Sequence, residues 1–325
     1  MSALKQPPGW AGDRSKSPLW KKSDTVLLLR LPVALGLSWM VAPSGWDRLA
    51  ARVARRRRDR QPERFERQVR WLDRMLDGRL DEAALEQAMF GQSANFRLRQ
   101  LQILRAHRPG RWQPPVRLEG AEHVTSALAA GRGAILWVAS FVFSTLLTKL
   151  TCRAAGLEVS HLSRAYHGYT SSRLGCRLLN PVQRRAEDRY LAERIVIPRN
   201  GAPVAAMRQL TQRLRENRVV SITVDSEGTT PLAVPFFAGT LRPANGALKL
   251  AASSGAPLLP VVTVRRPDGV FCTMIGSALP VERGRPEQGA QALARALEPA
   301  ALAHPDQFFW RAPTVLGPEG PFPTS

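Results

Sequence analysis

Between Gly133 and Ser140 runs an unbroken apolar stretch, Ala134-Ile-Leu-Trp-Val-Ala139. It is too short for a buried helix and shows no alternation, so it reads as a strand covered on both faces. Such a strand exists only inside a sheet with helices packed above and below it, which sets the fold class of its surroundings. Ser140 breaks the run, and Phe141 to Thr148 restart as a helix. In open α/β sheets ligands sit in the crevice beyond the carboxyl ends of the strands. Chemistry is therefore expected at Ser140 to Thr145. What stands there is two hydroxyls, Ser140 and Thr145, with no ionisable group between them.

The rest of the chain supports an α/β reading. Val219 to Asp225 is a second buried strand, ending in a carboxylate, and Val116 to Gly120, Glu158 to Arg164, Ala256 to Val264 and Val270 to Ile275 read as further strands. Pro231 to Phe237 is extended. Helical spacing covers Arg64 to His107 in two or three pieces, Ala121 to Ala130, Val204 to Glu216, Pro243 to Ser254 and Pro286 to Leu302. Strands alternating with helices predict a mixed central sheet flanked by helices. Ala165 to Arg199 is polar and Arg-rich, and is expected as loop and helix at the surface or at a cleft.

Thr25 to Pro43 is the most apolar segment near the start, and three readings compete for it. A membrane-spanning helix wants about 20 uninterrupted apolar residues, and Arg30 and Pro32 interrupt this one. A secretory signal needs a clean apolar core, which Arg30 also spoils. A helix lying in the membrane interface tolerates both, with Arg30 snorkelling and Trp39 and Trp46 at headgroup level. The third reading fits best, with a short span second. Directly after it, residues 51–70 carry nine Arg against Asp59, Glu63 and Glu66. Beside an apolar anchor such a cluster attracts an anionic leaflet and marks the cytoplasmic side. On its own it is equally a solvated helix face, because the acids interleave with Arg67 and Arg70 at helical spacing.

The whole chain of 325 residues carries a net charge of +21, from 47 basic against 26 acidic residues. Excess positive charge favours polyanions, either nucleic acid or a membrane surface. No nucleic-acid recognition signature accompanies it, so nucleic acid is not an expected partner. The three cysteines, Cys152, Cys176 and Cys272, are widely spaced, which predicts buried thiols in a reducing compartment and no zinc site. There is no phosphate-binding loop, nucleophile elbow or dinucleotide fingerprint. The five histidines lack metal-ligand spacing, and no metal is expected.

Several ordered blocks resemble one family. Val116-Arg-Leu-Glu-Gly120 with Glu122-His123, followed by Ala127 and Gly131-Arg-Gly-Ala-Ile-Leu136, resembles the entry to the active-site strand of the late lipid A acyltransferases. These form the lauroyl/myristoyl branch of the lysophospholipid acyltransferase superfamily. The similarity continues through Asp225 and Gly228, Val234-Pro-Phe-Phe237 with Gly239, Pro243 with Gly246, Gly255 to Val262, and Arg265-Arg266. It closes on His304-Pro-Asp-Gln-Phe-Phe-Trp310, and Leu31-Pro32 with Trp46 and Leu49-Ala50 resembles the family's membrane-proximal helix.

The resemblance implies an acyltransferase domain over residues 116–312. Ahead of it come a flexible tail (1–24) and an anchoring helical region (25–115); residues 313–325 form a short C-terminal tail. It also implies transfer of a fatty acyl group from an acyl carrier protein or CoA thioester to a lipid or glycolipid hydroxyl. That would occur at the cytoplasmic face of a bacterial inner membrane, against anionic lipids and with no cofactor beyond the donor. In the family a histidine, oriented by a carboxylate five residues on, takes the proton of the acceptor hydroxyl. Here those two positions are Ser140 and Thr145, and none of the five histidines has an acid five residues on. Two outcomes are therefore expected: a family member with divergent or weak acyl transfer, which one rescue would explain if His161 or His167 reached the cleft and Ser140 served as a nucleophile, or an inactive relative that binds lipid, acyl chains or a partner acyltransferase. Arg164 and Arg242 are expected to meet phosphate or pantetheine groups, Asp225 to hold a loop or contact substrate, and Phe236 and Phe237 to wall an acyl groove or pack the core.

Overall fold

The computed structural model describes residues 18–108, 112–198, 203–225, 231–311 and 314–323. Gly228 and the rest of the loop after Asp225 lie outside them. Four helices come first: α1 (Lys22–Met40), α2 (Pro43–Arg60), α3 (Pro62–Leu76) and α4 (Glu82–Arg105). An α/β body follows: β1 (Val116–Glu119), α5 (Ala121–Ala129), β2 (Ala134–Val138), α6 (Ser144–Ala154), β3 (Val159–Arg164), α7 (Arg173–Leu178), α8 (Asn180–Asp188), β4 (Glu193–Ile197), α9 (Val204–Arg215) and β5 (Val219–Thr223). It is completed by β6 (Val234–Phe236), β7 (Gly239–Leu241), α10 (Gly246–Ser254), β8 (Leu258–Arg265), β9 (Phe271–Ile275), α11 (Pro286–Ala303) and β10 (Val315–Leu316).

The main sheet runs β1-β9-β8-β2-β5-β3-β4. Its central strands are parallel, and β9 reverses direction against β8, which makes the sheet mixed as expected. β2 lies at its middle, between β5 and β8. Alternate residues explain why its sequence does not alternate. Ile135 and Trp137 enter the cluster built with Leu210 and Leu293 on one face, while Ala134, Leu136 and Val138 pack with Val124 and Cys152 on the other. Burying each of these larger side chains stabilises the fold by roughly 1.5–3 kcal/mol. Gly133 sets the entry angle: its φ is +64°, and a Cβ there would lie 2.7 Å from the Arg218 carbonyl. Only glycine meets both conditions without strain.

Three expectations need adjusting. The Arg-rich segment contains a strand, β4, whose residues Glu193 to Ile197 pair with β3; its charged side chains masked the pattern because β4 is an edge strand. α10 starts at Gly246, so Pro243 lies three residues ahead of it, where its carbonyl accepts from the Leu232 N–H at 3.0 Å. A second sheet, β10-β7-β6, is formed by strands too short to show a period. The three cysteines are free and buried, as the sequence predicts.

α4 is one continuous helix, and both α1 and α2 pack along it. Trp39 Nε1 donates to the Leu104 carbonyl at 3.2 Å, and Arg105 Nη1 donates to the Trp39 carbonyl at 2.8 Å. α1 is thus fastened by one face only. Its other face leaves Leu29 70% and Val33 64% exposed. Among the described residues, α1 is the one helix long and apolar enough to cross a membrane.

Candidate active site

Register brings Ser140 and Asp225 together. β2 and β5 are parallel with Val138 opposite Thr223, and both chains continue two residues beyond that pair. Ser140 Oγ donates to Asp225 Oδ1 at 2.5 Å. β3, on the far side of β5, ends at Arg164 on the same edge of the sheet. Arg164 is half-buried with its guanidinium 6.0 Å from the Tyr166 ring centroid. The backbone N–H of Arg242 donates to the Thr314 carbonyl at 2.7 Å, and Ala244 N–H reaches the Val224 carbonyl beside Asp225. Hydroxyl, carboxylate and Arg164 therefore lie at the carboxyl edge, where open sheets take their ligands.

The terminal aromatic block clasps this turn. Phe309 N–H donates to the Ser140 carbonyl at 2.9 Å, Val142 N–H donates to the Gln307 carbonyl at 2.7 Å, and Phe141 bridges Phe308. Gln307 in turn spans both backbone groups of Arg265 at the end of β8. Phe236 is fully buried against Phe308 and Trp310. Phe237 is half-buried at φ +49°, with the Arg79 guanidinium 5.2 Å from its ring centroid.

Thr145 is half-buried in the first turn of α6. Its carbonyl accepts from Lys149 Nζ at 2.6 Å, and the same ammonium reaches Glu187 Oε2 at 2.9 Å. Glu187, on α8, is completely buried and is the hub of a polar network. Gln183 and Arg194 each donate to it at 2.9 Å, and His167 Nε2 lies 2.9 Å from its Oε1. Burial alone would raise the Glu187 carboxyl; the Lys149 charge, the interaction with the His167 ring and the Arg194 charge outweigh it and hold it well below the usual range. Glu187 is therefore a carboxylate, which only accepts, so the proton on its histidine partner sits on Nε2.

His161, on β3, is buried with Nδ1 2.7 Å from Ser221 Oγ. Burial, and then the nearby Lys149 and Arg194 charges, hold its pKa well below the ordinary value. It is a neutral packing residue and does not serve as a base.

Two donors face this network without partners. Arg99 Nε, on α4, and the Tyr169 hydroxyl are both buried and unpaired. Burial pulls the Arg99 guanidinium down, while Tyr169, Glu187 and Asp225 pull it back up. Arg99 thus lies within electrostatic reach of both the Ser140–Asp225 pair and the His167–Glu187 pair. Burial pushes the Tyr169 hydroxyl up to about 12, so it stays a donor. No cluster of histidine, cysteine or acid side chains among the described residues could hold a metal ion.

The sequence reading named Ser140, Thr145 and Asp225 but not Arg99, Tyr169 or Glu187; the structure pairs Ser140 with Asp225 and brings in Thr145 only by its carbonyl. Glu187 stands 20 residues from His167 in a different element, and no local spacing announces such a pair.

The sequence model of one family, the bacterial lipid A biosynthesis acyltransferases, matches residues 73–313, well over half of the chain. No curated protein matches it.

Proposed function

The chain belongs to the bacterial lipid A biosynthesis acyltransferase family, and from that premise we propose that it transfers a fatty acyl group from a thioester donor to a lipid hydroxyl at a membrane surface. The observation that carries the reading is the His167–Glu187 pair at 2.9 Å. It offers a histidine base oriented by a carboxylate, the element that Ser140 and Thr145 no longer supply. Asp225 cannot activate Ser140 as a nucleophile, because a carboxylate is far too weak a base for an alkyl hydroxyl.

In this reading His167 Nδ1 takes the proton of the acceptor hydroxyl. The freed oxygen attacks the thioester carbonyl, the oxyanion draws on the unpaired Arg99 and Tyr169 donors, and the C–S bond breaks. The departing thiolate recovers the proton from His167 and leaves as a thiol. Ser140, with its own proton committed to Asp225, presents lone pairs that orient the acceptor. The donor is an acyl carrier protein or CoA thioester, and the N-terminal helices hold the chain on the cytoplasmic face of the inner membrane. Support for the last point is the one-sided packing of α1, whose outer face is apolar, and the Arg-rich α2 that follows it.

A second reading has its own observation. Neither position of the family dyad carries a titratable group, which favours an inactive relative that binds lipid or acyl chains. Incubating the purified protein with labelled acyl carrier protein and acyl-CoA thioesters and membrane lipids separates the two. Labelled lipid product supports transfer; lipid binding with no product and no thiol release supports the inactive relative.

A further inference from the structure

Arg57, Arg58, Arg64 and Arg311 line a pocket between α2, α3, α4 and the C-terminal segment, together with rings that include Phe65 and Phe96. None of its lining residues is acidic. Two of the acids nearby face arginines outside the pocket, Glu63 with Arg67 and Glu66 with Arg70, and Asp59 pairs with one lining residue, Arg58, leaving Arg57, Arg64 and Arg311. What remains is a run of like charges. Arg97 is pulled down by its burial and then by Arg30; Arg57 by burial and Arg97; Arg64 by burial, Arg57 and Arg67; Arg311 by burial, Arg57 and Arg64. The Nε atoms of both Arg64 and Arg311 are also buried without a hydrogen-bond partner.

A crowded set of cations with unpaired buried donors is unfavourable unless an anion completes it. The planar guanidinium fork matches phosphate oxygens. The surroundings say which phosphate. Four phenylalanine rings share the pocket lining with the arginines, and the arginine run leads through Arg97 to Arg30 on α1, whose outer face is apolar and exposed. Free phosphate has no use for either feature. A chain of contacts links the pocket to the Ser140 turn: Arg311 lies over Phe96 at 4.8 Å, Phe96 meets Phe309 edge-on at 4.7 Å, and Phe309 N–H holds the Ser140 carbonyl.

We propose that the Arg57–Arg64–Arg311 pocket binds the phosphomonoester headgroup of a lipid. The site's use in transfer rests on the acyltransferase reading above, but its occupancy does not.

Calorimetric titration at low ionic strength with monomeric dihexanoyl phosphatidic acid, dihexanoyl phosphatidylcholine and inorganic phosphate tests it without turnover. Wild type is expected to bind the phosphatidic acid at least about tenfold more tightly than either control, and Arg64→Gln with Arg311→Gln to lose at least about tenfold of that affinity. Arg55→Gln with Arg56→Gln, on exposed positions outside the pocket, is expected to bind as wild type. The ligand-free thermal midpoint of the Arg64/Arg311 variant is expected to hold or rise, because a repulsion is removed. Equal binding of inorganic phosphate, no preference over phosphatidylcholine, or unaltered binding by the variant overturns the proposal. So does lost binding with a lowered midpoint, which would make these arginines structural. A protein that binds the lipid yet forms no acylated product contradicts the proposed reaction and leaves this site standing.

Discussion

Ser140 and Asp225, 85 positions apart in sequence, share a hydrogen bond of 2.5 Å because β2 and β5 run parallel in register and overshoot the sheet by the same length. The Ser140 hydroxyl is thus held in place by a carboxylate. Orientation is what this bond provides, and general-base strength is not.

Ser140→Ala removes that bond from a partly exposed position. The expected loss is about 1 kcal/mol of stability in urea unfolding, since water replaces much of the interaction. Binding of lipid and of thioester should survive, because Arg99, Tyr169 and the aromatic clasp are untouched.

His161 gives the protein an acid-sensitive core. Its folded pKa lies well below its ordinary value because it is buried beside Lys149 and Arg194. In the unfolded chain it takes a proton near pH 6.5, so the unfolded state binds more protons as the pH falls below that value. Stability is therefore full above about pH 6.5 and declines below it, by up to about 1.4 kcal/mol per pH unit. His161→Gln, which keeps a partner for Ser221, should flatten urea-unfolding stability between pH 6.5 and 5. Identical slopes in the two proteins would sink this assignment.

Glu187 sets a second, lower window. Its depressed pKa contributes stability that is complete above its unfolded value, near 4.3, and is lost as the pH falls through the folded value. At neutral pH the buried Lys149–Glu187 pair is costly to break: Lys149→Met, which leaves the carboxylate one cation short, should lose about 3–5 kcal/mol. Lys149→Met combined with Glu187→Gln should recover part of that loss. A single variant as stable as wild type would show that Arg194 and His167 neutralise Glu187 unaided.

The outer face of α1 can be tested without disturbing its packed face. Leu29→Glu with Val33→Glu changes two exposed side chains, so the fold should persist. Partition onto anionic vesicles should fall at least about tenfold, since each buried leucine or valine is worth roughly 1.5–3 kcal/mol. Unchanged partition would assign membrane binding to the arginines of α2 alone.

The sheet was legible wherever burial on both faces erased alternation, as in β2 and β5, and wherever proline or glycine marked an end, as Pro286 does for α11. β4 was hidden by Glu193 and Arg194, which serve the Glu193–Arg213 pair and the Glu187 network rather than a strand pattern. Ser140 and Asp225 were legible because strand ends are. His167–Glu187 was not, since its partners come from a loop and a helix that only the fold brings together. Arg99 was invisible for a related reason: on α4 it sits among other arginines, and only burial separates its unpaired donor from a solvated charge.

The central claim is that the proton of the acceptor hydroxyl is taken by His167, and one comparison tests it most directly: initial rates of acyl transfer for wild type, Ser140→Ala and His167→Gln, all checked for folding. His167→Gln is predicted to lose roughly 10²–10⁴-fold, the usual worth of a general base, while Ser140→Ala loses no more than about tenfold. Full activity in His167→Gln, or abolition by Ser140→Ala alone, would contradict the account and move the chemistry back to Ser140.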